Sequence, residues 1–565
     1  MAGRSRPSPD SSPTTFYTSK EESEDTNKST TASTPTHGQS NLYRQARELP
    51  TELKAHCQIF LEEQLYLGAI NLLNSILSAG ASKRKPSGKP VPIPPASHLA
   101  LLNTIAIHPL HTTRAEKPEH LDVSSLALGY LRNVLAMVGP LNADFRTAFQ
   151  FLAIPRSGRR GGYNDFESDS DMLDDDLDSE SNPLRGKMAN ESSVWAKGQD
   201  FWSTVGWAFN CCTSMPHRWR YWRAWLEFML DVLDADWEER ERFDEEAHAA
   251  NGNKGKVPET LRSESMIVMY MDQQGGRQSG PKGILRALFA YSGSVSSAGF
   301  QEIFEKEHKG PRQPSKKRKR EPVLDLANDK FGDYFDDESF SSGVSEPPTP
   351  QKKRTRKDAG SLSPGMVESI ALRLRLFRLL SVATYTLRKK ADLDRLYEDF
   401  ASGIKVLPLE MFSLFVSQRP NPLLLETHVT LTKELFHLLL PSTIKDPRRV
   451  DPEGNSTGSL TPLMLEHCYV CYPANTVGLE DNAKLSLLVE NAIQLLWICD
   501  TLQYTGSFAK AVEKGIEARN KKVEKKRTAR GRTDAADTHA LPVMNSSAER
   551  IRVLMDVLKP SSEGD

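Results

Sequence analysis

The stretch Val194–Trp237, VWAKGQDFWSTVGWAFNCCTSMPHRWRYWRAWLEFMLDVLDADW, holds seven of the chain's eight tryptophans. Within it, Trp222, Trp225, Leu226, Met229, Val232, Leu233 and Trp237 recur at steps of three and four, which is one face of a helix. Phe201, Trp202, Val205, Ala208, Phe209 and Cys212 form a second, shorter stripe. Pro216 stands between the two and cannot continue a helix interior. The pattern predicts a helical hairpin with very large side chains in its seam. Each aromatic buried there removes roughly 150–250 Å² from water. Trp202, Trp222, Trp225 and Trp237 are the expected core anchors.

Upstream, apolar residues from Leu53 to Leu77 give a long helical pattern with an expected break near Gly68. A basic, Pro-rich linker covers 81–95. Leu99–Ile107 and Leu121–Val138 read as helices, and Gly139-Pro140 stops the second. Asn142 is the expected N-cap of a helix through Phe145, Phe149 and Leu152. Downstream, the charge density of Glu238–Glu246 predicts a helix running out into solvent. Glu259–Met271, Gly283–Tyr291 opened by Pro281, and Phe300–Glu307 read as short helices. Ile370–Tyr385 is apolar around most of its circumference and is expected to be central. Leu396–Phe415, Leu423–Leu440 and Leu485–Leu502 continue the helical pattern, and Ala548–Leu558 is a short terminal helix. Period-2 runs of β-branched residues are nearly absent. The expected fold is all-α: an irregular helical-repeat (solenoid-like) array or a large helical bundle with long disordered inserts. No fixed repeat period stands out.

Composition divides the 565 residues further. Hydrophobic content is 38%, below the roughly 45–50% of a globular chain, although that range counts glycine. The expected organisation is a disordered tail over 1–42, a helical region over 43–155 and a disordered acidic insert over 156–193. An aromatic-rich helical region over 194–307 follows, then a disordered insert with basic clusters over 308–364. A helical region over 365–520 and a basic segment with a short terminal helix over 521–565 complete the chain. The net charge of −1 offers no global field toward nucleic acid or membrane. An apolar signal-peptide core and a run of about 20 apolar residues are both missing from the pattern. Six cysteines are too sparse for a disulfide framework, which points to a reducing compartment.

The motifs of nucleotide-binding loops, zincins and serine hydrolases do not occur, and the chain is expected not to be an enzyme and to carry no cofactor. His467-Cys468-Tyr469-Val470-Cys471 contains a C-x-x-C, but a structural zinc site needs a second ligand pair. Buried cysteines acting as small apolar groups are the favoured reading. Arg218-Trp219-Arg220-Tyr221-Trp222-Arg223 alternates cations with aromatics, as a base-stacking surface would. Trp222 fits the helical stripe too well for that, so the arginines are expected to cover the rim of the core with their stems.

Two basic clusters lie in one low-complexity segment: Lys316, Lys317, Arg318, Lys319 and Arg320, then Lys352, Lys353, Arg354, Arg356 and Lys357. They are candidate nuclear-import signals. Thr349-Pro350-Gln351-Lys352 has a proline-directed, downstream-basic form that makes Thr349 a candidate phosphorylation site, and Ser363-Pro364 is a second. Ser168 and Ser170 sit in acidic sequence suited to acidophilic kinases. Together these features predict a non-enzymatic nuclear scaffold or adaptor subunit of a multiprotein complex. Its process would be chromatin or genome maintenance, and phosphorylation would regulate it. Its partners would be proteins, with nucleic acid bound weakly and electrostatically if at all and no membrane. The alternative is a nucleic-acid-binding nuclear protein in transcription or ribosome assembly.

Overall fold

In the computed structural model, which describes residues 43–81, 90–151, 184–250, 257–273, 280–309, 363–530 and 535–559, the fold is all-α. The N-terminal part comprises β1 (Ala46–Glu48), α1 (Thr51–Glu62), α2 (Tyr66–Ala81), β2 (Val91–Ile93), α3 (Ala96–Ile107), α4 (Pro118–Val138) and α5 (Phe145–Ala148). The two strands pair in parallel over three residues, from Ala46 opposite Val91 to Glu48 opposite Ile93. The break between α1 and α2 falls at Gln64, with φ 62°, and not at Gly68. Among the described helices, α4 is long and apolar enough to cross a membrane. Its Val123, Ala127, Tyr130, Leu131, Val134 and Val138 are buried, and α4 packs on α2 and α3. Gly139 ends it with φ 79°, where a Cβ would meet the Tyr43 ring at 2.4 Å. Asp144, not Asn142, caps α5; Asn142 instead donates to Val138 O at the end of α4.

The aromatic hairpin follows as α6 (Val194–Lys197), α7 (Phe201–Ser214) and α8 (Pro216–Ala250). Asp200 caps α7, and Pro216 opens α8 where its missing N–H costs nothing. The predicted insert over 156–193 ends earlier than its composition indicates. Leu184 and Met188 are buried, and Arg185 N donates to Glu62 at 3.0 Å. The charged end of α8 does not run out into solvent, since Glu239, Arg240 and Asp244 are buried. Asp236 accepts from Met266 N at 2.7 Å and Asp244 from Leu261 N at 3.0 Å. These carboxylates break the expected Glu259–Met271 helix into a 3₁₀ turn, Arg262–Glu264, and α9 (Met266–Asp272).

α10 (Pro281–Leu288) and α11 (Ser294–Gly299) come next, and the expected Phe300–Glu307 helix is a string of turns instead. α12 (Pro364–Leu387) then lies against both arms of the hairpin. Arg375 and Arg378 bond Asp234 at 2.6 and 2.8 Å. Arg373 is wholly buried. It donates to Leu288 O and to Ala290 O, and its guanidinium lies 4.0 Å from the Phe209 ring.

The C-terminal layer comprises α13 (Lys390–Val406), α14 (Leu409–Ser417), α15 (Leu425–Leu439), α16 (Pro447–Val450), α17 (Pro452–Ser456) and α18 (Pro462–Met464). A π-helical turn (Leu465–Val470), α19 (Leu479–Ile498), α20 (Gly506–Arg530) and α21 (Ala535–Leu558) complete it. α21 is longer than expected and tolerates Pro542 in its interior. Arg519 of α20 is buried and donates to Val470 O at 3.2 Å, satisfying a carbonyl at the end of the π-turn.

Candidate functional site

Two places bring polar chemistry together. The first is inside the hairpin. Arg218 and Glu307 are paired at 3.0 Å and both side chains are 0% exposed. One Glu307 oxygen, Oε2, accepts from Trp207 Nε1 at 3.1 Å, Trp222 Nε1 at 3.0 Å and Arg218 Nε at 3.0 Å. Its Oε1 accepts from Phe304 N at 2.8 Å. Arg218 spends its other donors on Thr112 Oγ1 and Ile107 O. Each nitrogen of Arg218 and each oxygen of Glu307 thus has a hydrogen-bond partner, as burial of a charge pair demands. A general base needs an oxygen within reach of a substrate proton, and both oxygens here are engaged. The hub is a structural lock. It also corrects the expected place of Arg218, which lies in the core and not on its rim.

The second place is a surface groove beside a corner of histidines. Its cavity is about 700 Å³, within the roughly 300–1,000 Å³ of small-molecule sites. The left-handed Gln64 folds α2 back on α1 and turns Leu65 outward, 56% exposed. The 3₁₀ turn Pro109–His111 forms the opposite wall and presents Leu110. Phe60, Tyr66, Leu67, Val123 and Met188 add to the apolar lining. His111, 5% exposed, lines the groove with its ring 5.2 Å from Tyr66 and 5.3 Å from His120. The Nδ1 atoms of His111 and His120 are buried without hydrogen-bond partners. Burial holds the His111 imidazole down to about 4, so it is neutral at neutral pH. Beside it, burial, His111 and Arg218 push His108 down to about 3, and His108 Nδ1 accepts from Leu110 N at 3.3 Å. The groove thus has apolar walls, the neutral His111 imidazole in its lining and charges such as Lys117 and Glu119 at its exposed edge.

The residues singled out in the sequence fall in different places. Trp202, Trp222, Trp225 and Trp237 are buried in the hairpin. Ser363 caps α12, accepting from Met366 N at 3.3 Å and donating to Cys212 O at 3.1 Å, so its Ser-Pro pair is also a helix start. Arg223 pairs with Glu227 and Glu368, and Arg220 lies 4.5 Å from the Tyr221 ring. That leaves the Arg218–Arg223 run without a shared open face. Cys468 is buried in the π-turn, and Cys471 contacts His467 O at 3.8 Å. Among the described residues no group of three or more His, Cys, Asp or Glu could hold a metal ion. Lys316–Arg320, Lys352, Lys353, Arg354, Arg356, Lys357, Thr349, Ser168 and Ser170 lie outside the described residues. Sequence reasoning missed Glu307, Asn103 and the histidine corner. The only signal for the last was the density of histidines at positions 108, 111 and 120. No protein-family model, no curated protein and no solved structure matches this chain.

Proposed function

We propose that the chain is a non-enzymatic nuclear scaffold or adaptor subunit of a multiprotein complex, and that the groove between α1, α2 and the Pro109–His111 turn receives a segment of a partner protein. The observation that carries the docking half is the groove's composition. Exposed leucines on facing walls, with the neutral His111 imidazole between them, match an apolar segment that can offer one hydrogen-bonding group. Leu65 and Leu110 are already in solvent, so replacing them leaves the core intact.

Leu65→Asp combined with Leu110→Asp is expected to weaken capture of stoichiometric partners at high salt by at least about tenfold, which is roughly 1.4 kcal/mol. Circular dichroism should stay unchanged. Undiminished capture by this variant would remove the groove from the function. The nuclear half rests on the two basic clusters, and chromatin or genome maintenance is the process that compartment and the proline-directed site favour. Neutralising Lys316–Arg320 and Lys352–Lys357 together is expected to abolish nuclear accumulation of a tagged chain. Thr349→Glu should reduce accumulation only when the first cluster is already neutralised, because a negative charge three residues from Lys352 offsets the second cluster alone. A chain that stays nuclear without either cluster contradicts this account of import.

A further inference from the structure

Trp497 is the one tryptophan outside the aromatic hairpin, and the one that is exposed, at 43%. It ends α19 beside Ile498, which is 69% exposed. Helix polarity gathers more apolar residues at this end. α15 runs antiparallel to α19: Asn475 N, just before α19, donates to Leu439 O, while His428 near the start of α15 meets Asn491 at 3.1 Å. Leu424 and Leu425 therefore lie toward the Trp497 end. The preceding loop is fixed there, because Arg419 donates to Gln494 at 3.1 Å. α14 runs alongside α19 in the same direction, since Lys484 donates to Lys405 O just before α14 and Asn491 to Val416 O near its end, and α21 runs parallel to both. The early α21 residue His539 lies 3.1 Å from Glu410, at the start of α14. Farther along, Ser547 and Arg550 bond Glu490. Val553 and Val557, exposed one turn apart, then fall at the same end.

We infer that this end, formed by Leu424, Leu425, Trp497, Ile498, Val553 and Val557, is the interface of a symmetric dimer of this chain. An apolar surface carrying tryptophan and leucine beside an arginine has the make-up of an interface centre, where Trp and Arg dominate binding energy. The charges around it select the occupant. Arg419 and Lys559 are exposed on its edge, and so are Glu426, Asp500 and Asp556. A strongly basic or strongly acidic partner would meet like charge on part of that edge. A two-fold axis lays the patch against itself, and a rim of both signs can then pair with its own copy. This inference is independent of the groove.

Sedimentation velocity of the full chain, over a concentration series spanning roughly nanomolar to tens of micromolar, tests it. A monomer–dimer equilibrium with micromolar or tighter affinity is expected. Trp497→Asp combined with Ile498→Asp should weaken it at least about tenfold with an unchanged circular dichroism spectrum. Leu424→Asp combined with Leu425→Asp, on a separate element, should do the same, and it decides the matter if the first variant fails to fold. A wild-type chain that stays monomeric throughout overturns the inference, as does a dimer that both variants leave intact. A monomer that uses Trp497 to bind a different protein overturns it as well.

Discussion

Glu307 shows how one side chain can hold several others. Seven large indoles enter the hairpin, and six of them donate their N–H: Trp195 to Ala100 O, Trp202 to Tyr270 O, Trp225 to Asn103, Trp219 to Glu368, and Trp207 and Trp222 to Glu307. Buried polar groups demand such partners. Glu307→Ala is expected to cost about 3–5 kcal/mol in urea unfolding, since it strands a buried arginine. Adding Arg218→Met should recover only part of the loss, because Trp207 and Trp222 still lack their acceptor. A Glu307→Ala chain of unchanged midpoint would contradict the hub. Trp225→Ala is likewise expected to cost about 3–5 kcal/mol, and a soluble, stable variant would place that ring elsewhere. The tryptophans were legible in the sequence because burial follows the helical period. Their partners were not. Arg218 and Glu307 stand 89 positions apart and Trp225 and Asn103 stand 122 apart, and no period connects them.

Elements behaved predictably where an apolar stripe decides, as in α7, α8, α12 and α19. They departed where a polar contact decides. The acidic end of α8 looks solvated by composition, yet its carboxylates cap the starts of the 3₁₀ turn and of α9. The segment from Phe300 to Glu307 looks helical by its apolar spacing, yet it forms turns, with Lys306 at φ 65°, Phe304 N bonded to Glu307 Oε1 and Phe300 seated against Gly206. Gly206 makes room for that phenylalanine, since a Cβ there would meet Phe300 Cε1 at 2.3 Å. Gly206→Ala is expected to displace the 300–309 segment and cost about 1–3 kcal/mol. The thermal midpoint and the rate of proteolysis at that segment both report it. An alanine variant with both unchanged would show that the segment packs more loosely than described. The groove was invisible in the sequence for a related reason. It is assembled from a left-handed residue, a 3₁₀ turn and Met188, which sits in sequence that composition assigns to an insert.

Across the whole molecule, burial of neutral histidines sets a pH dependence. Desolvation lowers His98, His111 and His428 to about 4 and His108 to about 3. The unfolded chain binds these protons near the ordinary value of about 6.5. Between that value and about 4 the unfolded state therefore holds more protons, and stability falls as pH falls. Each histidine contributes at most about 1.4 kcal/mol per pH unit. Asp200, Asp236 and Glu239, raised by burial, act with the opposite sign and reduce the net slope. The urea midpoint is expected to drop between pH 7 and pH 5.5, and a rise over that interval would contradict neutral burial of the histidines. The hairpin and α12 pack into one core although the 310–362 stretch separates them in sequence. Arg375 and Arg378 bond Asp234, and a Cβ on Gly365 would meet Cys212 O at 2.4 Å. The most direct measurement is to cut the chain within 310–362 at an inserted protease site and run gel filtration under native conditions. The two fragments are predicted to elute together with unchanged helicity. Fragments that separate and remain folded would show two independent domains and contradict the account.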